Sequence, residues 1–540
     1  MASNLAASDA EQFVRTSGFT NPVWIHEDPF TQRQRFSALS SDIETDVCIV
    51  GAGMAGISLA HELVTRGRQV VLVEARDVLA GETGRTSGHL SNALDDTYPA
   101  IARAHGEKGA AAAAESHTWA LNRVGEIARE LGVECEYRYL PGYRVSKYQR
   151  GTPEHEKDLQ KIKEDAELAK RLGIDVTFDE NLAVRGWGGK PDQRGGLIFS
   201  KQATFHPTKY LNGVLKWLKE QPKFRCYTST RVRGVNEKGV EVLGLGHKYV
   251  KVETEAGNTI SCEHAVEATN VPLQKLSVIV QMEWNRTYCI AMRVPKGSIE
   301  DILLYDTDDP YRYIRLTHCD EEDDYMIIGG EDHKVGQEDS GGHFEALEKW
   351  ARERFPQAES VEYKWSGQIF EPVDYMAYIG KNQGSKRIYI ATGDSGNGLT
   401  HGVIAGKLIA DEIEDKPNPW SSLYSPKRVA SVMKSAPSMI QNDLQVNMQY
   451  KRLVQSDIQD IEDLKPGCGG VLNPTAAKPI AVYKDEIGNV TKMSALCPHM
   501  GGVVCWNSVE KSWDCPVHGS RFGENGLSIQ GPAKANLSKA

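Results

Sequence analysis

Residues Asp46–Glu74 read DVCIVGAGMAGISLAHELVTRGRQVVLVE, and this stretch constrains the fold more than any other. Val47–Val50 is an apolar run of the length of a buried parallel strand, Gly51, Gly53 and Gly56 follow at once, and a helical pattern runs from Ile57 to Arg66. A second strand, Gln69–Val73, ends on Glu74. Gly51 permits the tight turn, Gly53 lets backbone approach a pyrophosphate, and Gly56 lets helix and strand pack closely. The helix's first N–H groups lack intrahelical partners and face the phosphates. Glu74 suits a ribose hydroxyl and would repel the extra phosphate of NADP. Glycines alone mark many turns, but with both strands and the acid in register the stretch reads as a dinucleotide site.

A chain of 540 residues is too long for one core, so about three or four domains are expected. The net charge of −10 gives no general attraction to nucleic acid or anionic membrane. No run of about eighteen apolar residues suggests a membrane span, and the start lacks the basic-then-apolar pattern of a secretory signal, so an intracellular, cytoplasmic protein is expected. Ten scattered cysteines do not resemble a disulfide framework, and only the last group has ligand-like spacing. The oligomeric state leaves no mark in the sequence.

In chain order, residues 1–41 read as an arm lying on the domain surface and touching the cofactor domain through Trp24. Residues 107–131 and 154–172 have helical spacing and are expected to cover the cofactor domain. A helix follows Phe205-His206-Pro207 to Lys219, and short strands occupy 224–262. Residues 425–444 read as a linker, and 445–540 as a further domain.

The fingerprint, the TGRTSGHLS loop, AVEATN at 265–270, the YRYIR and MIIGGEDH strands at 311–333, and IYIATGDSGNGLTHGVIAGKLIADEI at 388–413 resemble the D-amino-acid oxidase and glycine oxidase superfamily of FAD-dependent oxidoreductases. The resemblance spans about residues 42–424. It implies an α/β (α+β) fold in which segments near 42–105, 200–275 and 365–424 assemble a Rossmann-like FAD domain. Segments near 106–199 and 276–364 would build an interleaved substrate-binding sheet. Implied FAD contacts are Gly51, Gly53, Gly56, Glu74, Ala75, Arg76, the loop Arg85, Thr86, Ser87, Gly88 and His89, Val232 through its backbone, and Gly393, Gly398, Leu399 and Thr400. The flavin is expected to be noncovalent, since relatives tethering it through His do so at the position aligned with Arg85, and those using Cys have one before the segment that reads EPVD here. The late glycine loop and helix start would sit near the flavin's pyrimidine edge and stabilise negative charge there.

The resemblance is least regular at Gly367–Gly380, GQIFEPVDYMAYIG. Amino-acid oxidases place an Arg there to fork onto the substrate carboxylate, and that Arg aligns with Glu371. An ionised acid cannot accept another carboxylate. Either the substrate presents a cationic amine, or Arg312 or Arg315 takes over the carboxylate. Tyr311 and Tyr313 alternate with these arginines, so one pair faces the site and the other does not. Tyr311, Tyr313, Arg315, Glu371 and His206 are the catalytic candidates, with a packed, hydrogen-bonded histidine the first reading of His206 and a base the second.

Near the end, Cys497-Pro498-His499, a gap of fifteen residues, and Cys515-Pro516-Val517-His518 give the pattern C-x-H…C-x-x-H. Two thiolates can hold one iron and two imidazoles the other. The same four residues also suit tetrahedral zinc. The flanking HMGG, WDCPVHGSRF, Asn525-Gly526 and GPA resemble the Rieske family, which implies a small all-β domain holding a [2Fe-2S] cluster on Cys497, His499, Cys515 and His518. Respiratory Rieske proteins brace the two loops with a disulfide at positions that are Gly502 and Val517 here. They also carry a Tyr where this chain has Phe522, while Ser520 is retained. Fewer hydrogen bonds to sulfur imply a potential below the respiratory type.

The combined expectation is an oxidoreductase that takes a hydride from a small amine, amino acid or related metabolite onto FAD, with the cluster relaying electrons singly to an external acceptor: a protein, a quinone or oxygen. Two readings stay open beside it: a flavin reductase fed through the cluster, and a noncatalytic redox sensor.

Overall fold

The fingerprint strand Ile43–Val50 lies inside an eight-stranded sheet, parallel to Val70–Val73 on one side and to Thr259–Asn270 on the other. Val47, Ile49, Val70 and Leu72 enter one hydrophobic core while Cys48, Val50, Val71 and Val73 enter another. Burial on both faces is why this strand pair reads as unbroken apolar runs rather than as alternation. The order continues through Ile388–Thr392 to Tyr378–Lys381 at one edge and ends at Phe224–Tyr227 at the other. Early, middle and late segments thus share one sheet. The computed structural model describes residues 9–189, 195–239, 241–242, 245–246, 248–273, 278–338, 340–435, 444–473 and 478–540.

A nine-stranded sheet forms the second layer, in the order Val361–Pro372, Met282–Pro295, Asp323–Lys334, Tyr313–His318, Leu303–Asp306, Arg138–Val145, Gly196–Thr204 and His89–Leu90, with Val176–Asp179 beside Gly196–Thr204. Two segment boundaries differ from expectation. Gly196–Thr204 and Val361–Pro372 belong wholly to this sheet, whereas the sequence assigns their later residues to the FAD domain. Helix Tyr98–Glu130 has a non-helical residue at Gly106 (φ 76°), so the expected start at 107 falls just after a kink. That helix packs on Gly398–Ile413 in the dinucleotide half. Pro153–Arg171 instead packs mainly on Val176–Asp179 and Gly196–Thr204, so only the first of the two helices covers the cofactor domain.

The C-terminal region holds two small antiparallel sheets, Cys468–Leu472 with Ile480–Lys484 and Val490–Ser494, and Cys505–Asn507 with Ser512–Asp514, Arg521–Gly523 and Ser528–Gln530. They enclose a core of their own that includes Val471, Val503, Trp513 and Phe522. This region is docked on the rest of the chain. Arg85 Nη2 meets Glu510 Oε1 at 2.6 Å, Gln368 Nε2 donates to Gly519 O at 2.8 Å, and Arg231 Nη2 donates to Ser528 O at 2.8 Å.

The N-terminal arm is wedged into this junction rather than lying on the surface. Thr20 donates from its backbone and its hydroxyl to Glu510, Ser17 O accepts from Arg521, and Trp24 is fully buried with its indole N–H on Thr86 O. The expected linker is tied down at its start by Arg428, which forks onto both carboxylate oxygens of Asp374 at 2.7 Å. Residues 1–8 of the arm and 436–443 of the linker lie outside the described residues. Among the described residues, no helix is long and apolar enough to cross a membrane.

Candidate active site and cluster site

Where the two large sheets meet, they enclose a cavity of about 330 Å³. At one end the fingerprint closes it. Gly51 has φ +110°, and a Cβ there would stand 2.2 Å from Ala268 O; a Cβ on Gly56 would stand 1.9 Å from Gly51 O. Both contacts are with backbone that cannot yield, so glycine is required. Glu74 accepts from the N–H groups of Ala52 and Arg76, each at 3.0 Å, which fixes its carboxylate at the cavity rim.

Most of the implied FAD contacts line this cavity: Gly51, Gly53, Glu74, Ala75, Arg76, Arg85, Thr86, Ser87, His89, Val232, Gly393, Gly398, Leu399 and Thr400. Gly56 and Gly88 do not. Gly56 serves the helix–strand approach, and Gly88 packs under Trp24 with its carbonyl accepting from Arg315. The guanidinium of Arg85 is taken up by Glu510, Thr16, Thr20 and the Ser366 carbonyl. His89 has both ring nitrogens engaged, with Ser87 Oγ at 3.1 Å and Ile314 O at 3.1 Å. Loop glycines, the start of helix Gly398–Ile413 and an acid at the end of the second strand form a cradle that fits a dinucleotide. The residues present would hold FAD at Gly51–Gly53, Glu74–Arg76, Thr83–Ser87 and Gly393–Thr400.

The other end of the cavity is walled by Thr287, Cys289, Tyr305, Tyr311, Tyr313 and Asp332 from the nine-stranded sheet and its connections, together with Asp95. Of the alternating residues at 311–315, the tyrosines face the cavity. Arg312 pairs with Asp308 and Glu331, while Arg315 donates to Gly88 O at 2.6 Å and Phe205 O at 3.0 Å and lies over Trp24. His206 is the N-cap of helix Pro207–Lys219, accepting from Lys209 N, and burial drives its pKa down to about 3. Glu371 accepts from Asn285 Nδ2 at 2.7 Å. Arg315, His206 and Glu371 do not line the cavity, which removes the geometric basis for a catalytic part. Tyr305, Asp95 and Asp332 join the wall with no motif of their own to announce them, although Asp332 belongs to the MIIGGEDH strand.

The four cluster candidates sit on two loops with the same turn. Cys497 N–H donates to Gly502 O and Gly501 N–H to Cys497 O; Cys515 N–H donates to Ser520 O and Gly519 N–H to Cys515 O. Gly501 and Gly519 supply the left-handed residue at matching places, with φ of 72° and 73°. The repeated turn brings the thiols of Cys497 and Cys515 together and sets the rings of His499 and His518 4.8 Å apart. His499 Nδ1 is shut off from solvent without a hydrogen-bond partner. The Ser520 hydroxyl reaches Cys497 while accepting from Ala533 N–H. Paired thiols beside paired imidazoles, with an orphaned ring nitrogen, fit the Rieske donor set. At the aligned brace positions a Cβ on Gly502 would meet Val517 at 2.4 Å, so the two positions face each other without sulfur.

The cluster site adjoins the cavity. His518 packs on Trp284 with ring centroids 5.1 Å apart, and Ile529–Lys534 of the C-terminal region line the cavity itself.

Residues 46–412 match the family of FAD dependent oxidoreductases known as DAO. The chain belongs to that family. Residues 457–540 of this FAD-dependent oxidoreductase match the Rieske [2Fe-2S] domain. A Bacillus subtilis chain, YhfW, named for a Rieske 2Fe-2S iron–sulfur centre, is 29% identical over 508 residues, covering 93% of this chain and 94% of its own. The gamma-glutamylputrescine oxidoreductase of Escherichia coli is 27% identical over 399 residues, covering 70% of this chain and 85% of its own. Among solved structures, glycine oxidase from Geobacillus kaustophilus superposes with a TM-score of 0.56 at 17% identity, covering 72% of this chain and 99% of its own. The protein is thus an FAD-dependent oxidoreductase of the amine and amino-acid oxidase type with a Rieske domain, and its cofactors are FAD and a [2Fe-2S] cluster.

Proposed function

We propose that this oxidoreductase takes a hydride from a C–N-bearing carbon of a small amine or related metabolite and delivers the electrons one at a time, through the cluster, to an external acceptor. The observation that carries this reading is the seating of His518 against Trp284, on the strand that also supplies Thr287 and Cys289 to the cavity wall. Trp284 shares a buried group with Met282 and Phe370, and Phe370 O accepts from Ser395 N–H in the loop after Gly393. Packed side chains therefore join the cluster loop to the FAD loop.

FAD supplies a two-electron acceptor when bound, and the cluster supplies a one-electron outlet. The chain's own part is to exclude water from the cavity, hold the amine against the tyrosine wall, and keep the cluster loops fixed. Pro498 and Met500 are exposed beside His499, which gives the cluster an outer edge for an acceptor. His89, with both ring nitrogens engaged, supports noncovalent FAD, and acid denaturation is expected to release all of the flavin from the chain. Anaerobic addition of an oxidisable amine should bleach the flavin and then bring up the paramagnetic signal of the reduced cluster. A flavin that bleaches while the cluster stays silent would defeat the relay.

Phe522 packs in the same core as Cys497 and Cys515. A hydroxyl added by Phe522→Tyr and donated to a ligand sulfur stabilises the more negative, reduced cluster. One such bond of about 1 kcal/mol corresponds to about 40 mV for one electron, so a redox titration should show the potential rising by about that amount. An unchanged or lower potential would mean that no bond to sulfur forms.

A further inference from the structure

Four rings enclose the end of the cavity opposite the fingerprint. Tyr311 and Tyr313 have centroids 5.5 Å apart, Tyr305 and Tyr311 6.4 Å, and His89 stands 5.4 Å from Tyr305 and 5.0 Å from Tyr313. Two carboxylates join them from different segments. Asp95 is held by the Tyr311 hydroxyl, and Asp332 lies at the Thr287 side of the wall. Oδ1 of Asp332 and the hydroxyl of Tyr305 are shut off from solvent without a well-aligned hydrogen bond, although Thr287 stands beside the carboxylate and Ser91 beside the hydroxyl. Tyr305 is only 6% exposed. Buried polar atoms are normally satisfied, so these two mark positions where a ligand's N–H groups belong.

The charge balance points the same way. Burial, and for Asp332 also the neighbouring charge of Asp95, raises the two carboxyls, Asp95 to about 6 and Asp332 to about 7. A cation placed between them would relieve both effects. Among the described residues no arginine or lysine lines this end of the cavity, and Arg144 and His343 act on Asp95 and Asp332 only from outside it. Arg312 is paired with Asp308 and Glu331 and Arg144 with Asp165 and Leu94 O, while Arg315 bonds three backbone carbonyls and, with its second terminal nitrogen unpaired, lies behind the cavity wall. The basic residues lining the cavity, Arg76, Arg85, Arg231 and Lys534, belong to the dinucleotide loops and the C-terminal region. A substrate carboxylate at this end would meet two acids in the wall, with arginines only behind it.

We propose that the substrate is an alkylammonium ion with no carboxylate beside the carbon to be oxidised, gripped by the faces of Tyr305, Tyr311, Tyr313 and His89 and by the carboxylates of Asp95 and Asp332. Aromatic faces and desolvated acids together favour alkylammonium groups that carry N–H over neutral molecules of the same shape. The inference rests on the amine-oxidation reading above and narrows it.

tert-Butylammonium and pivalate, alike in shape and opposite in charge, separate the possibilities; with no hydrogen on the carbon bearing nitrogen, the cation binds without being oxidised. Each is titrated into the holoenzyme, following the flavin absorbance and the heat of binding. tert-Butylammonium should bind at least roughly tenfold more tightly than pivalate, and Asp332→Asn should weaken it by roughly tenfold while flavin content is unchanged. Tighter binding of pivalate, no binding of tert-butylammonium, or an Asp332→Asn protein with undiminished affinity overturns the proposal. The wild-type comparison needs no variant to fold. The broader reading fails separately: if no amine or amino acid reduces the flavin anaerobically, amine oxidation itself falls. If amino acids reduce it and pivalate is the tighter probe, oxidation stands and the carboxylate-free substrate does not.

Discussion

Replacing Glu510 by glutamine is expected to destabilise the docking of the C-terminal region by about 3–5 kcal/mol and to cost the protein its FAD. Glu510 is fully buried, and Arg85, 3% exposed, bonds it at 2.6 Å. Glu510 also accepts from Ser366 N–H, from the Ser366 hydroxyl and from Thr20. Removing one charge of such a pair leaves the other desolvated and unpaired, which is the costly way to break it. The loss reaches the flavin because Arg85 stands on the loop that also places Thr86 and Ser87 at the cavity wall. Thermal unfolding and the flavin-to-protein ratio after gel filtration measure the two consequences. An Glu510→Gln protein that melts and retains FAD like the parent would show that the buried pair does not hold the halves together.

The same residue sets a pH window. Burial alone would raise the Glu510 carboxyl, but the guanidinium groups of Arg85, Arg286 and Arg521 and the Ser366 hydroxyl outweigh it and hold the pKa at about 2, against an ordinary value of 4.5. A depressed carboxyl contributes its stability in full above the unfolded pKa and loses it as pH falls toward the folded one. The shift corresponds to on the order of 3 kcal/mol. The gap in stability between wild type and Glu510→Gln should therefore be widest above about pH 4.5 and shrink between there and about pH 2.

What could be read from the chain divides by distance along it. The fingerprint glycines fall within six positions and the cluster ligands on two short loops, so local rules of turn and helix start suffice for them. Arg85 and Glu510 are 425 positions apart, and no local pattern in either announces the other. Composition at 425–444 suggested a tether, yet the interface is fixed by Arg85, Gln368 and Arg231 and by an arm taken for surface chain. Alternation puts Arg312 opposite Tyr311 and Tyr313, but Arg315 has the parity of the tyrosines, so the expected split of tyrosines from arginines fails there, and Arg315 runs to Trp24 and Gly88 O on the tyrosine side. Alternation could not say which side was the cavity, because that depends on how the nine-stranded sheet faces its neighbour. Glu371 aligned with a substrate-binding arginine, but near the end of strand Val361–Pro372 it pairs across to Glu283 and bonds Asn285, outside the cavity wall.

Trp284 offers the sharpest test of the electron path. Its ring is 5.1 Å from that of His518, it is 3% exposed, and it packs with Met282 and Phe370 toward the FAD loop. Trp284→Leu removes the aromatic bridge while keeping the position apolar, and should slow cluster reduction after substrate addition by roughly tenfold, about 1.4 kcal/mol of barrier. Flavin bleaching by the same substrate should keep its wild-type rate, since the cavity wall is formed by Thr287 and Cys289 further along the strand. Large-to-small changes in a core also cost stability, about 3–5 kcal/mol for Trp→Ala and less where volume is kept, so Trp284→Phe is the necessary companion. The indole N–H has no hydrogen-bond partner, so Phe forfeits no bond, and a retained ring should restore most of the transfer rate. Rapid-mixing spectra resolve the two reductions in one experiment. If Trp284→Leu folds, binds both cofactors and fills its cluster as fast as the parent, electrons leave the flavin by a route that does not pass this contact.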